Sequence, residues 1–169
     1  MGSWILDVRR RLQAEFGGNP WLCVMATVSP DGAPTARCMV CREVDRDGRV
    51  LFVSDRRTRK DDHLRNNPAS EICFWLPTER VQIRLSGRVT VMDAETDTFL
   101  RQTWWDRLPS ENRQIFGAPA HDLDPPMPVT FELLTLSPDL VEVQDLKLKV
   151  NQKQVWKVKQ NDWQPVALM

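Results

Sequence analysis

From Leu51 to Pro68 the chain reads LFVSDRRTRKDDHLRNNP. The first residues are apolar and partly β-branched, so the stretch opens as a strand. From Arg59 it reads as a short helix that must stop before Pro68, because a residue preceding proline is pushed out of the α region. Four cations, Arg56, Arg57, Arg59 and Lys60, fall within five positions at this junction. A helix start already exposes unpaired N–H groups and the positive end of its dipole, so added cations there favour an anion. Two readings compete. One is a solvated turn whose charge is balanced by Asp55, Asp61 and Asp62. The other is a socket for an anion such as phosphate, which arginine matches with a planar fork and lysine with a mobile point charge.

The surroundings of this stretch are strands. WLCVMATVS (Trp21–Ser29) is apolar and is followed by a PDG turn. PTARCMVCREVD (Pro34–Asp45) reads as the next strand, and RDG leads from it into RVLFVSD as a hairpin. Beyond Pro68 come SEICFWL (Ser70–Leu76) and ERVQIRLSGRVTVMD (Glu79–Asp93). In the latter, Val81, Ile83 and Leu85 alternate with Gln82, Arg84 and Ser86, which gives one core face and one polar face. Near the start, Ile5, Val8, Leu12 and Phe16 form one helical stripe, with Ser3 able to cap it and Gly17 and Gly18 able to end it. Asp93 is expected to cap a helix through Leu108, and SENRQIF (Ser110–Phe116) is a second short one. GAPAHDLDPPMP is too rich in proline to be regular. The remainder returns to strands. Six or more short strands with helical inserts, and no domain boundary over residues 1–169, predict one mainly β domain, a closed or nearly closed antiparallel barrel with an N-terminal helix.

Composition narrows the function. The chain has 23 basic and 23 acidic residues, which argues against a general nucleic-acid binder but not against a local basic site. No apolar run approaches the length that spans a bilayer, and the first residues lack a signal-peptide pattern, so a soluble, cytoplasmic protein is expected. Cys38 and Cys41 form a C-x-x-C, but on a strand an offset of three sends the two thiols to opposite faces, and no second ligand pair accompanies them. No Ser-His-Asp or Cys-His arrangement and no carboxylate pair can be read from the sequence.

Arg37, the basic turn, EICFWL and RVQIRLSGRV together, in this order and spacing, resemble the pyridoxamine 5'-phosphate oxidase family of FMN-binding split barrels. The resemblance covers Trp21 to Val91. RQIFGAP and NDWQPVAL resemble a divergent branch of oxidase-related FMN-binding proteins. The resemblance implies a Greek-key split β-barrel that binds FMN. It implies that Arg59 and Lys60 hold the phosphate, that Thr58 stands where the family has serine, and that Arg37 reaches the same end. Cys38, Met39 and Val40 would edge the isoalloxazine ring, with Ser54 and Gln82 as polar partners. It also implies a homodimer with the flavin at the interface and a small-molecule substrate or electron donor.

The family's substrate positions differ here. Its lysine after the cofactor strand is Arg42, its tyrosine is Phe99, and its arginine one turn later is Thr103 or Trp104. AHDLDPP and DLKLKVNQKQVW lack the later flavin and substrate signatures, and the chain has no tyrosine. Trp104 and Trp105, adjacent on a helix, are expected to leave at most one ring inward. His63 is expected to be solvated or capping beside the phosphate. The resemblance, with these departures, therefore implies an FMN-dependent oxidoreductase with an altered substrate pocket. The alternative is a non-catalytic flavin- or haem-binding protein on the same barrel, with His63 or His121 as the haem ligand.

Overall fold

A computed structural model describes residues 3–119, 121–122, 124–147, 152–159 and 162–167. The described elements are α1 (Ser3–Phe16), β1 (Trp21–Val28), β2 (Pro34–Cys41), β3 (Glu43–Val44), β4 (Val50–Asp55), α2 (Arg59–Asn66), β5 (Ala69–Leu76) and β6 (Val81–Met92). They continue with α3 (Thr98–Arg107), α4 (Ser110–Arg113), a 3-10 turn at Gln114–Phe116, β7 (Phe131–Asp145), β8 (Gln152–Lys159) and β9 (Asp162–Pro165).

All described strand pairings are antiparallel and run in the order β2-β1-β5-β6-β7-β4-β3, with β8 on β7 and β9 on β8. Because β2 runs directly into β3, the two ends of that order are one continuous stretch of chain, and the sheet closes into a barrel. The expected single strand from Pro34 to Asp45 breaks at Arg42, whose N–H donates to the Leu51 carbonyl (2.8 Å). Residues before it pair with β1 and residues after it with β4, because one straight strand cannot serve both edges of a closing sheet. Strands β1, β2–β3 and β4 follow as neighbours, and β5 returns beside β1, which is the Greek-key order. That return, from β4 to β5, carries the basic turn and α2.

The interior explains the alternation read from the sequence. Val81, Ile83 and Leu85 are fully buried, as are Met25, Ile72, Phe74, Val50 and Phe52. The α1 stripe joins them through Trp4, Val8 and Leu12, each at 0 % exposure. Each such side chain contributes about 1.5–3 kcal/mol on burial, enough to fix which face of α1 turns inward. Ser3 opens α1, but its side chain lies outside the described residues, so the expected cap there does too. A second cluster packs Trp104, Trp105, Leu108 and Phe116 onto Phe131 and Leu133.

Two expectations for α3 are corrected. Its cap is Asp97, whose carboxylate accepts from the Leu100 N–H (2.8 Å). Asp93 instead folds a turn, in which its own backbone N–H donates to the Thr96 hydroxyl (2.8 Å) and its carboxylate accepts from the Glu95 N–H (3.1 Å). Both tryptophans are buried, Trp104 at 8 % and Trp105 at 1 %. Trp105 stacks edge-on against Phe116 and Phe131 and donates to the Pro125 carbonyl (2.9 Å), while Trp104 lies under the Arg107 guanidinium. A helix covered on two sides hides adjacent positions.

Candidate functional site

The connection from β4 to β5 decides between the two readings of the basic turn. Asp55, the last residue of β4, accepts from the Arg57 side chain (2.6 Å) and from the Arg57 N–H (2.9 Å). Burial raises the Asp55 carboxyl, but these bonds outweigh it and hold the group below its ordinary value. Asp61 faces the opposite way: it is fully buried and accepts from Arg65 (2.8 Å). Arg65 also reaches Asp93 (3.2 Å) and Glu132 (2.5 Å). Asp62 is exposed. Of the three acids, Asp55 neutralises only Arg57, Asp61 turns away to Arg65, and Asp62 lies in solvent. Among the described residues, no carboxylate pairs with Arg59, Lys60 or Arg37.

These three cations, with Thr35, Arg57, Thr58 and His63, line a cleft of about 600 Å³. Thr58 holds the turn by donating from its hydroxyl to the Asp55 carbonyl (2.8 Å), and it accepts from Lys60 (2.8 Å). Burial pushes the Lys60 ammonium below its ordinary pKa; the Asp61 charge opposes it, the Arg37 charge adds to it, and Asp55 and Glu132 oppose it more weakly. Burial lowers Arg37 in the same way. Both shifts reflect cations that burial penalises and that no carboxylate contacts directly, a cost that a bound dianion would relieve.

Thr58 and Lys60 also border a second cavity of about 290 Å³, so the two are contiguous. Cys38, Met39 and Val40 of β2 form one wall, Val53 and Ser54 of β4 another, and Asn112, Ile115 and Phe116 the third. The Ser54 hydroxyl is buried and has no partner among the described residues, and neither has Nε of Arg42, which lines the same slot. Burial pulls the Arg42 guanidinium below its ordinary pKa. The donor set fits FMN. Cations without counter-ions match a phosphate of about two charges, and a mainly apolar slot with orphan polar atoms matches a flat heteroaromatic ring.

Of the residues singled out from the sequence, Arg37, Thr58, Arg59 and Lys60 meet in the cleft, and Cys38, Met39, Val40, Arg42 and Ser54 meet in the slot. Gln82 lies outside both, on the outer face of β6 opposite Trp75 and Gln144. Phe99 also lies outside, 84 % exposed on α3, because that helix turns Arg101, Trp104 and Trp105 inward. The thiols of Cys38 and Cys41 do diverge: Cys38 is exposed and Cys41 is buried, with burial pushing its thiol up to about 12. His63 is neither solvated nor a cap. It is 5 % exposed, with Nδ1 between the hydroxyls of Thr27 (3.1 Å) and Thr35 (3.2 Å).

Sequence reasoning missed Thr35, Asn112 and Ile115. Thr35 had a signal, since it lies two residues before Arg37 on the same strand face. Asn112 and Ile115 had none, because only the packing of α4 over β2 and β4 brings them to the slot.

Residues 2–93 match the family described as pyridoxamine 5'-phosphate oxidase, FMN-binding domain. A pyridoxine/pyridoxamine 5'-phosphate oxidase of Arabidopsis thaliana is 31 % identical over 150 residues, covering 76 % of this chain and 74 % of its own length. One from Myxococcus xanthus is 36 % identical over 96 residues, but the matched part is 56 % of this chain and only 46 % of that protein. The chain therefore spans under half the length of that relative. A pyridoxamine 5'-phosphate oxidase-related, FMN-binding protein of Nostoc punctiforme superimposes with a TM-score of 0.86 at 26 % identity, covering 100 % of this chain and 98 % of that one.

Proposed function

This chain belongs to the pyridoxamine 5'-phosphate oxidase FMN-binding family, and its cofactor is FMN; we propose that it is a dimeric oxidoreductase with a substrate pocket different from that of the vitamin B6 oxidases. The observation that carries the reading is the joined cleft and slot, with three unneutralised cations at one end and orphaned Ser54 and Arg42 atoms at the other. When bound, FMN supplies the hydride- and electron-transfer chemistry. The chain's part is to bind, orient and exclude water. Arg59, Lys60 and Arg37 hold the phosphate, and Thr58 fixes the turn that presents them. Met39, Val40 and Val53 keep the ring slot dry, and Ser54 offers its hydroxyl to a ring polar atom.

The Arg42 end of the same slot supports a small acidic substrate against the ring more than a second phosphate ester. Arg42 is one cation in an apolar slot with Asn112 and Ile115. Phe99, exposed on the outer side of α3, does not join it. The homodimer draws its support from the outer sheet face. Leu22 (53 % exposed), Val24 (41 %) and Trp75 (47 %) stand there in register beside Val40, Cys38 and Gln82. Three strand spacings, about 14 Å, separate β2 from β6, so Gln82 would meet a flavin from across the interface. The haem alternative gains nothing from the histidines. His63 opens onto a cleft lined by Arg37, Arg57, Arg59 and Lys60 rather than onto the apolar walls a haem needs, and His121 is exposed in the proline-rich loop.

The experiment is flavin titration of wild type and an Arg59→Ala/Lys60→Ala variant. Each charge-assisted hydrogen bond contributes about 1.5–3 kcal/mol. The variant should therefore lose on the order of a hundredfold or more in FMN affinity while riboflavin, which lacks the phosphate, binds nearly as before. Equal FMN affinity in both proteins removes the assignment.

A further inference from the structure

His63 is a buried group that neither the family resemblance nor the flavin reading uses. It lies one turn along α2 from Arg59, and the i, i+3 and i+4 spacing puts Arg59, Lys60 and His63 on one helix face, the face that lines the cationic cleft. Thr27 and Thr35, directly opposite each other on β1 and β2, clasp its Nδ1. Arg37 clasps the threonines in turn, donating to the Thr27 hydroxyl (2.8 Å) and the Thr35 hydroxyl (2.7 Å).

Counting protons sets the direction of these bonds. Each threonine hydroxyl has one proton and two lone pairs. Arg37 can only donate, so it occupies a lone pair on each. One hydroxyl proton bridges the two threonines, which stand 3.0 Å apart. The other has two acceptors in reach: Nδ1, 3.1 Å from Thr27 and 3.2 Å from Thr35, and the Thr27 carbonyl, 3.3 Å from the Thr35 hydroxyl; Nδ1 is the nearer, and where Thr35 supplies the bridge the free proton is that of Thr27, which faces Nδ1. A neutral imidazole that accepts at Nδ1 carries its proton at Nε2, and Nε2 has no partner among the described residues.

We propose that His63 is a further phosphate-binding residue of the FMN site, donating from Nε2 to the cofactor's terminal dianion, with Thr27, Thr35 and Arg37 as positioning residues that fix its tautomer. The proposal rests on the flavin reading above and adds a neutral, directional donor to a set of mobile cations. Its consequence is selectivity for phosphorylated over unphosphorylated flavin beyond what Arg59 and Lys60 supply.

The chain has two histidines, so selective ¹⁵N labelling gives two resolvable rings. In wild-type protein the expected His63 signature is an accepting Nδ1 and a protonated Nε2. Saturating FMN should move the Nε2 signal, and saturating riboflavin should leave it in place. His121 should respond to neither. His63→Ala should lower FMN affinity about ten- to a hundredfold, the range for one hydrogen bond to a charged group, with riboflavin affinity within about twofold. His63→Gln, which keeps an N–H donor, should recover part of the loss. An Nε2 signal that responds identically to both flavins overturns the proposal, as does a protonated Nδ1 in the bound state, and neither needs a variant to fold. FMN binding that beats riboflavin while His63 stays silent overturns only this inference. A protein that binds neither flavin overturns the reading beneath it as well.

Discussion

At the scale of single residues, the charged turn shows how little a local count of charges reveals. Asp55, Asp61 and Asp62 neighbour the cations in sequence, yet Asp55 takes Arg57, Asp61 turns inward to Arg65, and Asp62 faces solvent. The inward turn of Asp61 creates a buried carboxyl pair with Glu132, which is at 0 % exposure. Asp61 Oδ1 and Glu132 Oε2 both lack a donor among the described residues, and one proton held between the two carboxyls satisfies both. Burial first, and the Asp61 carboxylate second, push Glu132 up to about 8 against the pull of Arg65. The sign follows from linkage. The folded protein keeps a proton here that the unfolded chain has released above its ordinary value of 4.5, so stability falls as pH rises from there to about 8. Glu132→Gln keeps the shape and a donor for Asp61 without the ionisation. Urea midpoints at pH 6 and pH 8.5 should therefore fall in wild type and fall less in the variant. Parallel falls in both proteins would place the titration elsewhere.

At the scale of elements, β6 and β7 form the longest pairing of the barrel, and it is interrupted once. Register shifts between Ser86 and Gly87, and a Cβ at Gly87 would lie 2.1 Å from the Ser137 carbonyl oxygen. The bulge lets a long strand curve enough to close a barrel. Gly87→Ala should cost more than about 2 kcal/mol, since the blocking atom is backbone and cannot rotate away. Chemical denaturation measures the loss. Because Gly87 lies outside the cleft and the slot, the FMN-to-riboflavin affinity ratio of the folded variant should stay unchanged. A variant as stable as wild type would mean that the two strands separate there at little cost. The same scale accounts for α3. Its tryptophans looked alternative on a helical wheel, but a helix wedged between β7 and the proline-rich loop has two buried sides.

For the whole molecule, the exposed apolar face of β1, β2 and β5 is continuous with the ring slot through Cys38 and Val40. Trp75→Glu places a charge at its middle. If this face joins two copies around the cofactor, sedimentation at micromolar concentration should show wild type as a dimer and the variant shifted toward monomer. FMN affinity should drop in parallel, although Trp75 lies far from the phosphate cleft. A wild-type monomer that still holds FMN tightly would remove the interface from the site. The alternation in β6, the amphipathic stripe of α1 and the strand-to-helix junction at the basic turn were all legible in the sequence, because each is set by the period of the backbone and the preferences of neighbouring residues. That Arg37, Thr58, Arg59 and Lys60 would stand together was implied by the family resemblance, and they do line one cleft. The break of the second expected strand at Arg42, the inward turn of Asp61 toward Glu132, the clasp on His63 and the approach of Asn112 and Ile115 were not legible. Each depends on which distant segments a closing sheet brings together, and that is decided by burial and pairing across the whole barrel rather than by any local run of residues.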